Sequence, residues 1–134
     1  MHIKTDKVTV NKPAEEIFDF LADMNNFEQL LQNDKIEKIV TTNDTCEFTI
    51  KGMAKIGLKT VERIAPEKIK IESFGKVPFS FDMHIYVTPL GSGNCEAYLT
   101  FDGKINPFMK MMVEKPMTNF LNMLAQKLAE IHNN

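Results

Sequence analysis

The chain has 134 residues, of which 43% are hydrophobic and 25% charged, and this balance excludes a disordered tail protein. A chain of this length predicts a single domain over 1–134, which can bury about two-thirds of its unfolded surface without a metal or disulfide. The net charge is −2 and Arg63 is the only arginine. This argues against a nucleic-acid partner, since neutralising phosphates normally requires a basic excess.

The cysteine and apolar patterns point to a reducing compartment. Cys46 and Cys95 are not part of a Cys-x-x-C motif or a Cys/His cluster, so the sequence predicts no metal site and no cofactor. The first residues contain no apolar run, and no stretch approaches the length of a membrane span. We therefore expect no signal peptide, no transmembrane segment and a cytoplasmic location. Free thiols are the main expectation, and a Cys46–Cys95 disulfide is the alternative.

The first third of the chain predicts one strand followed by two short helices. Residues 2–10 alternate as a strand that ends before Pro13. Pro13 suits the first turn of a helix, and Glu15 and Glu16 place negative charge where a helix N-terminus favours it. After a break, 27–32 predicts a second short helix.

The middle of the chain predicts an uninterrupted series of strands. Apolar and polar residues alternate with period two between short turns, including the turn at 91–94. The predicted strands are 35–42, 46–51, 54–64, 68–73, 79–89 and 95–105. Clean alternation with short turns is typical of an antiparallel meander with one covered face and one wet face.

The last segment changes to helical periodicity over 107–131. Pro116 lies inside this pattern and predicts a kink or a division of the helix. The helix would be about 37 Å long, which matches the length of about 36 Å for strands 79–89 and 95–105. The expected fold class is therefore α+β: a curved antiparallel sheet of about seven strands, two short helices after strand 1, and a long C-terminal helix packed across the sheet.

This order of elements, with the motifs that carry it, resembles the START-like or SRPBCC superfamily with its Bet v 1-like helix-grip fold. The opening motif is VTVNKPAEEIFDFLAD at 8–23, followed by an aromatic at Phe27. Two further motifs, FTIKGMA at 48–54 and NPFMKMM at 106–112, are similar to a bacterial SRPBCC subfamily of unknown function. The resemblance covers nearly the whole chain. It implies a hydrophobic cavity between sheet and long helix, which the superfamily uses for lipids, sterols, polyketides and other apolar ligands.

Apolar side chains that face this space are the candidate ligand-binding residues. Five of the nine methionines lie in the last helix, and methionine suits a surface that accommodates varied apolar shapes. The candidates are Phe48, Ile56, Leu58, Ile71, Phe81, Met83, Leu99, Phe101, Met109, Met112, Val113 and Phe120. The alternative is that they fill the space as ordinary core. Phe108 and Met111, partly off the buried face, are either an apolar lip at a cavity entrance or scattered surface residues.

Candidates for catalysis are few. Strand parity from Ile56 and Leu58 points Glu62 inward, where burial would raise the pKa of its carboxyl and make it an acid, a base or a ligand anchor; a bulge near the strand end would instead turn it outward. His84 and Asp82 share the polar face of their strand, which is typical of a solvated exterior. The sequence thus predicts no catalytic residue, and Glu62 is the one candidate.

A row of basic residues on the outward parity of three strands allows a further interpretation. They are Lys51, Lys55, Lys59, Arg63, Lys68 and Lys70. They form either a solubilising exterior or a peripheral contact with anionic lipid headgroups or an acidic partner.

Three hypotheses about function follow from these residues and from the resemblance. The first is a carrier or sensor that holds a hydrophobic small molecule, lipid- or polyketide-like, between sheet and C-terminal helix. The second is a cyclase, aromatase or dehydratase acting on a polyketide-like substrate, which requires polar groups inside the cavity. The third is a protein-interaction module without a cavity. The sequence favours a non-enzymatic binder and does not indicate an oligomeric state.

Overall fold

The fold is an eight-stranded antiparallel sheet with helices on one face. The computed structural model describes residues 1–91 and 93–133; Ser92, within the predicted turn 91–94, lies outside the described residues. The strands are β1 His2–Lys4, β2 Val8–Val10, β3 Ile36–Thr41, β4 Thr45–Ile50, β5 Ala54–Ile64, β6 Lys68–Ser73, β7 Ser80–Gly91 and β8 Asn94–Lys104. The helices are α1 Ala14–Ala22, α2 Phe27–Leu30 and α3 Pro107–His132, with a 3-10 turn at Met24–Asn26.

The sheet has the order β1-β8-β7-β6-β5-β4-β3, with β2 also paired to β8. Each consecutive pair from β3 to β8 is an antiparallel hairpin partner. The alternation that predicted a meander is therefore confirmed, as is the helix-grip architecture with a long C-terminal helix.

The first strand differs from the prediction because it is divided at Thr5. The Thr5 amide donates to the carbonyl of Leu99, and the Thr5 hydroxyl accepts from the Leu99 amide, both at 2.9 Å. The side chain thus replaces a main-chain acceptor. Lys4 pairs with Thr100 and Val8 pairs with Ala97, so the first strand has one residue more than β8 between these two pairs. The sheet accordingly has eight strands rather than seven, and the short helices follow β2.

Two features of β5 adapt the sheet to its neighbours. A Cβ at Gly57 would overlap the carbonyl oxygen of Phe74, so only glycine permits this close approach of the two chains. Further along, the β5–β6 register shifts, because Thr60 pairs with Ile71 and Glu62 pairs with Lys70. Between these pairs the chain advances two residues on β5 and only one on β6. This is a β-bulge, and it reverses the facing of the residues that follow.

The buried side chains form one cluster between the inner face of the sheet and the helices. Inward residues on β4, β6 and β7 alternate with outward ones, as their parity predicts. α1 contributes Ile17, Phe18 and Leu21, and α3 contributes residues from Val113 to Leu128. α3 runs unbroken through Pro116, so the predicted division of this helix is wrong.

Candidate functional site

A groove lies between α3 and the corner where β3, β4 and β5 meet. Its volume is about 490 Å³. We call it the α3 groove. It is lined by Asn33, Lys35, Ile36, Ile50, Lys51, Gly52, Met53, Lys115, Pro116, Asn119, Phe120 and Met123.

The groove has an apolar floor and a polar rim. The floor consists of buried or half-buried side chains, which are Ile36, Ile50, Met53, Pro116, Phe120 and Met123. The rim consists of exposed side chains, which are Asn33, Lys35, Lys51, Lys115 and Asn119. Such a division suits a ligand that buries apolar surface and presents a polar end to the rim.

The β4–β5 turn builds one wall of the groove. Gly52 has a φ of +78°, a left-handed conformation that glycine adopts without steric cost. The Met53 amide donates to the carbonyl of Ile50 at 3.0 Å, which closes the turn and directs Met53 toward the core. The Lys51 amide donates to the carbonyl of Lys35 at 2.8 Å, so the two lysines emerge side by side.

α3 builds the opposite wall. Its first turn is capped by Asn106, whose side-chain oxygen accepts from the Met109 amide at 2.9 Å. Lys115, Pro116 and Asn119 follow on the surface that faces the groove. Pro116 has no amide hydrogen, so the carbonyl one turn before it receives no helical hydrogen bond from this position.

Only Phe120 among the twelve predicted ligand-binding residues lines the α3 groove. The eight candidates on strands are at most 4% exposed and pack into the core. They are Phe48, Ile56, Leu58, Ile71, Phe81, Met83, Leu99 and Phe101. Their aromatic rings pack closely: Phe81 stacks on Phe101 at 4.9 Å, and Phe48 lies 5.3 Å from Phe120, both between ring centroids. Phe120 therefore forms the boundary between groove and core.

The remaining helix candidates occupy three different environments. Val113 is buried and Met109 is half-buried against the core. Met112 is 64% exposed, so its inward placement was wrong. Phe108 and Met111 are also exposed, at 73% and 86%. The first turns of α3 thus carry an apolar surface that no described residue covers.

Glu62 does not face the interior. The bulge after Thr60 pairs Glu62 with outward-facing Lys70, and the Glu62 side chain is exposed. Its prediction as an inward carboxylate is therefore wrong, and the outward alternative is correct.

His84 and Asp82 lie on the outer face of the sheet, as the parity of β7 predicts. Partial burial lowers the pKa of His84, and the positive charges of Lys68 and Lys70 lower it further. Asp82 and Asp102 have the opposite, smaller effect. This face lies on the side of the sheet away from the core, so His84 and Asp82 contribute no acid or base to the α3 groove.

Arg63 does not lie on the predicted outward basic face. The bulge after Thr60 pairs it with the buried, inward-facing Ile69, so its outward placement was wrong. Arg63 donates from Nε and Nη2 to the carbonyl oxygen of Ala22, at 3.0 and 2.9 Å, and pairs with Asp44 at 2.6 Å. Lys55 pairs with Glu47 at 3.3 Å. The single arginine thus connects the end of α1 to the β3–β4 turn and has a structural role.

Most residues of the α3 groove could not be predicted from the sequence. Gly52 and Met53 belong to the motif at 48–54 that carries part of the family resemblance, and Met123 is one of the five methionines of the last helix. Nothing in the sequence pattern indicated that Asn33 and Lys35 would line a cavity. They lie in a loop before β3, and the position of this loop depends on the hydrogen bond between Lys35 and Lys51.

Within 1–91 and 93–133, no helix combines the length and apolarity needed to cross a membrane. Over the same ranges, no group of three or more His, Cys, Asp or Glu side chains is arranged to hold a metal ion.

The sequence matches no protein-family model and no curated protein sequence. Several solved structures share its fold. A norcoclaurine synthase point mutant from Thalictrum flavum aligns with a TM-score of 0.78 at 15% identity, covering 99% of this chain and 94% of that chain. A START superfamily protein from Mycobacterium smegmatis aligns with a TM-score of 0.75 at 16% identity, covering 98% and 97%. An uncharacterised protein from Bacillus thuringiensis aligns with a TM-score of 0.68 at 12% identity, and the alignment covers 100% of both chains.

These likenesses establish the class of fold. The chain has a START-like, Bet v 1-like helix-grip fold, as its sequence motifs predicted. Proteins with this fold generally bind hydrophobic ligands. At these identities the likeness shows the fold alone, because one fold supports many functions.

Proposed function

We propose that the protein binds a hydrophobic small molecule, lipid- or polyketide-like, in the α3 groove and acts as a carrier or sensor. The observation that carries this proposal is the groove itself, with a volume of about 490 Å³ above a continuous apolar floor. This volume is within the range of about 300–1,000 Å³ that is typical of small-molecule sites.

Burial of the ligand on this floor supplies the affinity. Each methylene group that leaves water contributes about 0.8 kcal/mol before the costs of association. Met53 and Met123 lie on opposite walls and have flexible, polarizable side chains that adapt to different apolar shapes. The site therefore selects for apolar surface more than for one rigid shape.

A carrier is favoured over the cyclase, aromatase or dehydratase alternative by the chemistry of the lining. General acid–base catalysis typically uses a carboxylate, imidazole or thiol within reach of the substrate. Among the described residues that line the groove there is no Asp, Glu, His or Cys. In another protein of the same fold, norcoclaurine synthase, a solved structure contains bound dopamine and hydroxybenzaldehyde.

The first test is native mass spectrometry of the purified protein, followed by extraction and identification of any bound molecule. Met53→Trp should fill the groove and lower the bound fraction at least tenfold. Leu90→Trp is the matched control, because Leu90 is an exposed apolar residue on β7 that does not line the groove. The control should retain the ligand.

Two results would contradict the proposal. Full ligand occupancy in Met53→Trp would place binding elsewhere. A protein that is empty and gains no thermal stability from a fatty-acid, sterol and aromatic panel would favour the interaction module and leave the methionines as core and surface residues.

A further inference from the structure

The charged residues of the α3 groove all have the same sign. Lys35 lies just before β3 and Lys51 lies in the β4–β5 turn, on one wall of the groove, and Lys115 lies on α3. Asn33 and Asn119 are the other polar residues of the rim. No carboxylate is part of the described lining, although the chain as a whole has a net charge of −2. The groove is therefore a local concentration of positive charge in an otherwise acidic protein.

Within the residues that the structure describes, these three ammonium groups also lack a counter-ion. Within the described part of the chain, none of the three lysines lies within 4.0 Å of a carboxylate oxygen. Other surface lysines do have partners. Lys55, Lys70 and Lys110 each pair with a glutamate, at 3.3, 4.0 and 3.6 Å.

The geometry keeps the positive charges together. The hydrogen bond from the Lys51 amide to the Lys35 carbonyl places two stems side by side. An apolar ligand on the floor displaces water from beside these ammonium groups, which makes an uncompensated charge more costly. A neutral ligand leaves that cost in place, whereas an anionic group at the rim offsets it.

We propose that the α3 groove binds an amphiphile with one apolar tail and one anionic group, with the anion among Lys35, Lys51 and Lys115. The inference rests on the proposed function and specifies the class of its ligand. Ammonium groups act as point charges without the planar fork of a guanidinium. A carboxylate, a sulfate and a phosphate ester should therefore all be accepted.

The test compares decanoate, decyl sulfate and decanol, which share an apolar tail and differ in the head group. Isothermal titration calorimetry is carried out below the micelle concentration of each compound. We expect both anions to bind at least tenfold more tightly than decanol. Added salt should weaken the anions and leave decanol nearly unchanged.

Charge-removal variants locate the effect. The triple variant Lys35→Gln, Lys51→Gln, Lys115→Gln should lose at least tenfold in affinity for both anions, and its affinities for decanoate and decanol should become similar. The control triple Lys55→Gln, Lys70→Gln, Lys110→Gln removes the same charge from ion-paired sites outside the groove lining. It should behave as wild type. Circular dichroism checks that both variants are folded.

Each remaining outcome is decisive. Equal affinity for decanol and decanoate would overturn the inference and leave the proposed function standing. An equal loss in the control triple would overturn it by assigning the effect to net charge. Displacement of decanoate by inorganic sulfate at equal concentration would overturn it in favour of a free-anion site. If none of the three compounds binds, the inference is overturned, and the native mass spectrum decides whether the proposed function falls with it.

Discussion

Phe120 separates the α3 groove from the core, and its removal gives a quantitative test of that description. The side chain is 6% exposed and its ring lies 5.3 Å from that of Phe48. Truncation of such a phenylalanine removes buried apolar surface, leaves a cavity and costs about 3–5 kcal/mol. The aromatic contact accounts for about 0.5–1.5 kcal/mol of this. We therefore expect Phe120→Ala to lower the free energy of unfolding by about 3–5 kcal/mol in all.

The assay is urea unfolding monitored by circular dichroism, with thermal unfolding in parallel. For a domain of this size the loss corresponds to a fall in Tm of about 10–18 °C. Phe120→Leu is the conservative control and should cost less than about 1.5 kcal/mol, because it changes the buried volume far less. A loss below about 1 kcal/mol in Phe120→Ala would show that the ring does not close the floor of the groove, and would refute the description of Phe120 as a boundary.

Two further predictions concern the framework around the site. Arg63→Gln should cost about 1–2 kcal/mol and lower Tm by about 4–7 °C, because the bonds to Ala22 and Asp44 are lost; full restoration by Arg63→Lys would contradict a role for the guanidinium fork. Burial raises the pKa of Cys46 from 9.0 to about 12, with smaller effects of Glu28 and Glu47. The folded state then holds this proton more tightly than the unfolded state, so stability should fall as pH rises from about 9 toward 12. Urea unfolding at pH 7.5 and 10.5 should show a smaller loss in Cys46→Ala, and an identical loss in both proteins would contradict the assignment.

Strand parity predicted the buried face of the sheet because side chains alternate strictly along a regular strand. Phe48, Ile71 and Phe101 are buried as their positions predicted. The same rule failed at Glu62, since the bulge after Thr60 inserts one residue and reverses the facing of the strand. Period-two patterns contain no information about such insertions, which depend on pairing with the neighbouring strand.

Helical periodicity predicted the length and buried arc of α3 but not the partner at each turn. Val113 and Phe120 are buried, whereas Met112 is exposed because no described element covers the first turns of the helix. The position of the groove was unpredictable for a related reason. Whether Phe48 and Phe120 leave a space or close it depends on packing at the scale of single rotamers, and here they close it.

The division of the first strand at Thr5 has a consequence for the behaviour of the whole molecule in a crowded solution. β1 and β2 form one border of the sheet, and each is only three residues long. The opposite border is β3, where the register shifts between Glu37 and Val40 and Lys38 adopts a φ of +57°. Neither border offers a long, flat row of free amide and carbonyl groups, which is the template on which another chain adds a strand. The irregularities at both borders thus protect a sheet of eight strands against edge-to-edge aggregation.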